Sequence, residues 1–195
     1  TEDGPVQVCP MPILISRRLK SVDTSEEKVE LIFFRDGKWQ SCISQRSIVF
    51  HASKLPMLSD RGMSISSENA KNLVKYLGSL EAHNMATLQV SVSSERMGWI
   101  DSKRFLPGLA DDVVLDLDSG SQTVAGGYHQ FGTFDAWREF ASEVRRHPVA
   151  RFLMAAAFAS PLLHLLDHRV FIVHVWGPSR GGKTAALKAA QSVWG

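Results

Sequence analysis

The hydrophobic and polar positions of this chain change their period along its length. Three early segments, "PILISRRLKSVD" (12–23), "EKVELIFFRDG" (27–37) and "KWQSCISQ" (38–45), carry the β-branched and aromatic content of strands. They are separated by the turn residues Asp23-Thr24-Ser25 and Asp36-Gly37, which predicts an antiparallel meander. In "SSENAKNLVKYLGSLEAHN" the apolar residues Leu73, Val74, Leu77 and Leu80 recur at helical spacing behind Ser and Asn positions suited to a helix start. An amphipathic helix of about four turns follows from that spacing. "TLQVSVS" alternates Leu88, Val90 and Val92, and "DVVLDL" (112–117) is a short β-branched run, so both read as strands.

A Gly- and Ser-rich stretch, "SGSQTVAGGYHQFG" (119–132), has no apolar period and marks the best domain boundary. Beyond it the pattern becomes helical. Thr133 is placed to cap "FDAWREFASEVRR", whose stripe is Phe134, Trp137, Phe140, Ala141 and Val144. His147-Pro148 ends that helix and starts "VARFLMAAAFAS", which Pro161 interrupts. "RVFIVHVW" (169–176) is nearly continuously apolar, the texture of a strand buried on both faces. "KTAALKAAQSVW" then has the composition of a helix. The expected fold class is an α+β amino-terminal domain, a helical segment, and the first strand, P-loop and helix of an α/β P-loop NTPase. The expected domains are 1–130 (accessory), 131–168 (helical linker) and 169–195 (start of a P-loop ATPase domain).

Composition narrows the class further. The chain has 195 residues, ordinary apolar and charged fractions, and no apolar run of the roughly 18 residues a membrane span needs. "TEDGPVQVCP" has neither the basic start nor the apolar stretch of a signal peptide, so a cytoplasmic location and no membrane partner are expected. Cys9 and Cys42 lack any CxxC or zinc-like spacing and read as free thiols. Residues 1–130 carry net charge −2 and residues 131–195 carry +4, so the excess of base lies in the carboxy-terminal part.

That part also holds "GPSRGGKT" (177–184), a GxxxxGK[ST] pattern between the predicted buried strand and the predicted helix. A phosphate packs several charges into a small volume and is held best by converging backbone N–H groups at the positive end of a helix. Side chains at Gly181 and Gly182 would obstruct that approach. The candidate nucleotide-binding residues are therefore Gly177, Pro178, Ser179, Arg180, Gly181, Gly182, Lys183, Thr184 and Ala185, with ATP and Mg²⁺ as cofactors. Lys183 would reach the β- and γ-phosphates and the Thr184 hydroxyl would ligate Mg²⁺; in the empty loop Lys183 is expected to face solvent. The structural alternative is a plain Gly-rich turn.

Other constellations have ordinary readings beside the functional one. "HLLDH" (164–168) spaces two His at i and i+4 as a zinc helix does, but His and Asp at a helix end are also cap and dipole chemistry. Asp111, Asp112, Asp116 and Asp118 could hold a catalytic metal, or form the solvated face of a strand. "RRLK" (17–20) and "RRH" (145–147) could touch nucleic acid, or be surface.

"FIVHVWGPSRGGKTAALKAAQSVWG", with "VELIFFRDGKW", "RGMSISSENAKNLVKYLGSLEA", "MGWI" and "RFLP" in the same order, resembles the amino-terminal part of the bacterial family called domain of unknown function nine-two-seven. The resemblance covers about 12–195. Members are grouped with helicases and their inactivated derivatives in prophages, plasmids and integrative elements, sometimes alongside primase domains. Arg180 and Ala185 depart from the usual Ser-rich, Thr-Thr form of the loop, and neither removes a phosphate ligand. The family's ATPase domain continues through an acidic strand, a sensor and arginine fingers, so the resemblance implies an amino-terminal fragment of a larger protein. The implied function is that of a helicase-like ATPase in DNA replication or transfer of a mobile element. DNA, other replication proteins and a further copy of the chain are its expected partners. The alternative is a module that binds nucleic acid or a replication protein and whose ATPase has decayed. A small-molecule nucleotide kinase fits less well, because such enzymes usually place this loop near the amino-terminus.

Overall fold

A computed structural model describes residues 7–107 and 112–194. Along the chain run β1 (Ile13–Ser21), β2 (Glu27–Arg35), β3 (Lys38–Gln45), α1 (Arg46–Val49), α2 (Ala70–Asn84) and β4 (Gln89–Ser94). There follow β5 (Gly98–Trp99), β6 (Phe105–Leu106), β7 (Val113–Leu115) and α3 (Ser119–Ala125). The remaining elements are α4 (Phe134–Val144), α5 (Pro148–Ala159), α6 (Leu162–Leu165) and α7 (Lys183–Gln191). The fold is α+β. Its residues divide into two compact units, the first running to Glu95 and including Asp112–Asp116, the second made of the rest.

The first unit is built on a mixed sheet in the order β3-β2-β1-β4-β7. The expected meander forms its antiparallel part, while β4 and β7 join parallel to β1 and to each other. α2 is the crossover between the meander and β4, which is how a parallel neighbour must be reached. One face buries Ile13, Ile15, Val29, Leu31 and Phe33 in a cluster with Leu73 and Leu77 of α2 and Leu55 and Leu58 of a 3₁₀ turn. α2 begins later than its polar leader suggests, because Asn69 turns back: its Oδ1 accepts from the Ser66 amide and its Nδ2 donates to the Ser64 carbonyl. Arg46 of α1 ties down the other end through a two-pronged ion pair with the buried Glu81 (Nη2 to Oε2 2.8 Å), and its guanidinium lies 4.7 Å over the Phe50 ring.

The β4 strand appears where expected, with its burial reversed. A register shift between Ile15 and Arg17 changes the side to which later residues of β1 point, so that Arg18 stands opposite Val29 and Leu19 opposite Lys28. β4 pairs with that shifted half, Leu19 beside Ser91 and Ser21 beside Ser93. Ser91 and Ser93 are therefore buried with Leu19, and Val90, beside Arg18, is 53% exposed. Alternation set the strand; the bulge set which half of it went inside.

In the second unit Thr133 caps α4 as expected, its Oγ1 accepting from the Ala136 amide at 3.3 Å, and Pro148 opens α5. α4 is followed directly by α5, and α7 packs against α5. Aromatic rings run through the unit in one connected series: Trp99, Phe105, Trp194, Phe158, Trp137, Phe134, with successive centroids 5.2 to 6.5 Å apart. Both indoles in its middle are anchored, Trp137 donating to Ser192 Oγ (3.1 Å) and Trp194 to the Ala157 carbonyl (3.0 Å).

The Gly- and Ser-rich stretch read as a domain boundary holds a short helix: residues Ser119–Ala125 form α3, because Asp118 accepts from the Gly120 and Ser121 amides and supplies the cap. One local expectation is corrected here. Residues 169–176, read as a strand buried on both faces, form no strand. A strand needs a ladder partner, and none of the described strands pairs with this segment; Val170, Ile172 and Trp176 are 90%, 94% and 84% exposed.

The burial pattern makes a direct prediction. Leu77→Ala, in the sealed face under α2, should cost about 2 to 5 kcal/mol, whereas Val90→Ser should stay within about 0.5 kcal/mol. Urea unfolding of the two variants checks it, and equal costs would contradict the assigned register.

Candidate functional site

The loop 177–184 leads into α7, and its backbone is bent by residues of unusual conformation. Gly177 has φ 151° and Gly182, the residue before the first helical turn, has φ 76°. A Cβ at either glycine would meet no neighbour within 4 Å, so conformation, not crowding, selects glycine there. Gly181 differs: its Cβ would stand 3.2 Å from the Pro178 carbonyl oxygen, to which its own amide donates. Arg180 adopts φ 65° with a full side chain, a left-handed conformation that costs about 1 to 2 kcal/mol.

These bends leave a hollow of about 300 Å³ lined by Arg180, Gly181, Gly182, Lys183, Thr184 and Ala185. No side chain caps α7 and its first turn holds no acid. The first amides of a helix have no acceptor within it, so those of Lys183, Thr184 and Ala185 are donors with a partial positive charge and no carboxylate competing for them. Thr184 is exposed at the same helix start.

Lys183 is not solvent-facing as its position in the motif suggested. Its ammonium donates to the Gly177 and Pro178 carbonyls at 2.8 and 2.7 Å, tying the helix end of the loop back to its first two residues. The lysine is half-buried and acts as a brace. The nine residues Gly177 to Ala185 thus lie on one continuous turn, of which Arg180 to Ala185 line the hollow while Gly177 and Pro178 hold the lysine.

The other candidates separate from this site. Asp116 binds Lys28 (2.6 Å), as does Glu95 (2.6 Å). Burial by itself would lower the Lys28 pKa, but these two carboxylates hold it above the usual lysine value. Asp118 serves as the α3 cap; hydrogen bonds from the Ser121 hydroxyl and amide hold its carboxyl below the usual range. Asp111 lies outside the described residues, and among those described no cluster of three His, Cys, Asp or Glu is arranged to hold a metal. His164 and His168 do not share a helix face, because α6 ends at Leu165. Asp167 (φ 51°) and His168 instead close it, their amides donating to the His164 and Leu163 carbonyls. In "RRLK", Arg17 is paired with Glu30 and Arg18 donates to Met85 Sδ. Cys9 and Cys42 are free, and burial pushes the Cys42 thiol up. No helix among the described residues is long and apolar enough to cross a membrane.

The sequence singled out "RRH" (145–147); what it did not show is that Arg145 and Arg146 share a groove between α4 and α5 with Arg138 and Arg151. Arg138 and Arg151 lie on different helices, and only the packing of α4 beside α5 brings them to the same groove.

An α+β chain with this loop at the start of its last helix matches the family model described as domain of unknown function (DUF927) over residues 1–195. The chain belongs to that family, as the resemblance in its sequence implied. Among solved structures it is similar to one described as "SCCmec type IV Cch - active helicase", at 22% identity and a TM-score of 0.47. The similarity covers 94% of this chain and 37% of that one, so this chain spans little more than a third of its length. No curated protein matches.

Two substitutions test the loop without any ligand. Lys183→Ala removes both brace bonds and should lower stability by about 1 kcal/mol, which is roughly 2 to 4 °C in melting temperature. Arg180→Gly relieves the left-handed strain and should raise stability by about 0.5 to 1 kcal/mol after the entropy of glycine is counted. Calorimetry of both variants reads the two signs, and a stabilising Lys183→Ala would contradict the brace.

Proposed function

We propose that this chain is the nucleotide-binding, amino-terminal part of a helicase-like P-loop ATPase, and that the loop Gly177 to Ala185 holds ATP with Mg²⁺. One observation carries the reading: a lysine that spans its own loop beside a hollow of uncapped helix amides, with no acidic group among the described residues that line it. Those donors fit a chain of phosphates. The amides of Gly182 to Ala185 would orient the β- and γ-phosphates, Gly181 and Gly182 would let the backbone approach them, and Lys183 would exchange its carbonyl acceptors for phosphate oxygens. The Thr184 hydroxyl would be the protein's ligand to Mg²⁺. ATP and Mg²⁺ supply the transferable phosphoryl group and the divalent charge. Ser179 and Arg180 would form the outer lip, where Arg180 adds positive charge beside the γ-phosphate position.

The family kinship supports DNA replication or transfer of a mobile element as the setting, with DNA and replication proteins as partners of the intact molecule. Self-association is part of the same reading, because it would remove Val170, Ile172 and Trp176 from water.

Binding and hydrolysis are expected to separate in this chain. Saturation with Mg·ATP to about 100 times the dissociation constant should add roughly 2.7 kcal/mol, a melting shift of about 5 to 10 °C. In Lys183→Ala, measured against its own unliganded baseline, most of that shift should vanish. Among the described residues no carboxylate lines the hollow to position a water, and loss of an arginine finger alone costs about a thousandfold or more. Phosphate release should therefore stay at background. Turnover above background that disappears in Lys183→Ala would contradict this part of the account, and an unchanged melting temperature with Mg·ATP would contradict the whole.

A further inference from the structure

The groove between α4 and α5 is used by nothing described so far. It holds about 860 Å³, and among the described residues no carboxylate lines it. Arg138 and Arg145 project from α4, Arg146 from the turn after it and Arg151 from α5, while Trp137 and Phe158 form part of the floor. The two rings meet edge to face at 6.1 Å, and the Trp137 indole is fixed by its bond to Ser192. Phe158 is 49% exposed.

Helix-end arginines often do no more than face the negative end of a helix dipole. That accounts for Arg145 and Arg146 at the carboxy-terminal end of α4. It does not account for Arg138, a turn or more earlier, or for Arg151, near the amino-terminal end of α5, where a cation is disfavoured. Two of the four have acidic neighbours, Arg138 with Asp135 (3.2 Å) and Arg146 with Glu143 (2.9 Å), but every partner in these pairs is well exposed and the pairs are readily exchanged. The groove therefore presents concentrated positive charge beside fixed aromatic surface.

We infer that this groove binds single-stranded nucleic acid, its four arginines taking successive phosphates and its aromatic floor taking a base. Charge alone would suit any polyanion. The ring surface favours unpaired bases, because each base has a face to stack and a duplex hides those faces. The groove shares no residue with the loop 177–184, so the site stands apart from the nucleotide reading.

The test is fluorescence anisotropy of a labelled oligothymidylate titrated with the full chain, without nucleotide, across a salt series. The expected result is binding whose affinity falls linearly on a log–log salt plot. Arg145→Gln with Arg151→Gln, both at exposed positions, should weaken it about tenfold or more at low salt and reduce the slope by about 1.4, the value for two lost single-strand phosphate contacts. The double Lys variant at the same positions should keep most of that slope, and Lys183→Ala should bind like the unmodified chain. Failure of the unmodified chain to bind the oligomer would overturn the inference, as would wild-type affinity in the double Gln variant. Tighter binding to duplex of the same length, or equal displacement by a polyglutamate peptide of matched charge, would assign the groove to a different partner and overturn it too.

Discussion

Helix α7 can aim its first amides in a fixed direction only because its far end is held. Ala189 and Ala190 are buried where α7 packs on α5, whose own Leu153 and Met154 are buried. Alanine at that seam lets two helices approach closely, since interaxial distance follows the side chains at the contact. Beyond α7, Trp194 lies between the Phe105 and Phe158 rings and donates to α5. The candidate loop is thus supported from one side, by a helix anchored at its carboxy-terminal end, and it closes on itself through Lys183. The preceding segment, 169–176, gives no such support, because it pairs with no described strand.

That arrangement gives the lysine two duties. Without phosphate, its ammonium satisfies the Gly177 and Pro178 carbonyls and keeps the turn from opening. With phosphate it would move toward the ligand, so part of the binding energy goes to replacing those two bonds. Arg180 adds a second tension, since a residue with a side chain occupies a left-handed position that glycine would adopt freely. A loop held by a displaceable brace and one strained residue is poised to rearrange.

Much of this was legible in the sequence because its causes are local. The meander follows from β-branched runs broken by Asp-Gly and Asp-Thr-Ser turns, the α4 cap from Thr133, and the start of α5 from Pro148. The loop residues could be named from the glycines and the Lys-Thr pair. What the sequence hid depends on partners distant in the chain. The alternation of Leu88, Val90 and Val92 marked a strand but not its inward face, which the β1 bulge assigns to Ser91 and Ser93. The run 169–176 looked like a buried strand because apolar texture reports what a segment would gain by burial, not whether an edge lies beside it. Lys183 looked solvent-facing because its acceptors are backbone carbonyls five and six residues back, which no motif displays. The arginine groove needed the packing of α4 beside α5.

The central claim is that the loop from Gly177 to Ala185 is a phosphate cradle closed by Lys183 in its resting form. The most direct measurement is a set of amide and lysine-ammonium NMR shifts, followed as a non-hydrolysable ATP analogue with Mg²⁺ is added. The account predicts large downfield changes at the amides of Gly182 to Ala185 and a shift of the Lys183 ammonium as it leaves the Gly177 and Pro178 carbonyls, with the β1–β4 amides unmoved. Saturable binding that leaves those loop signals in place and moves others would contradict it.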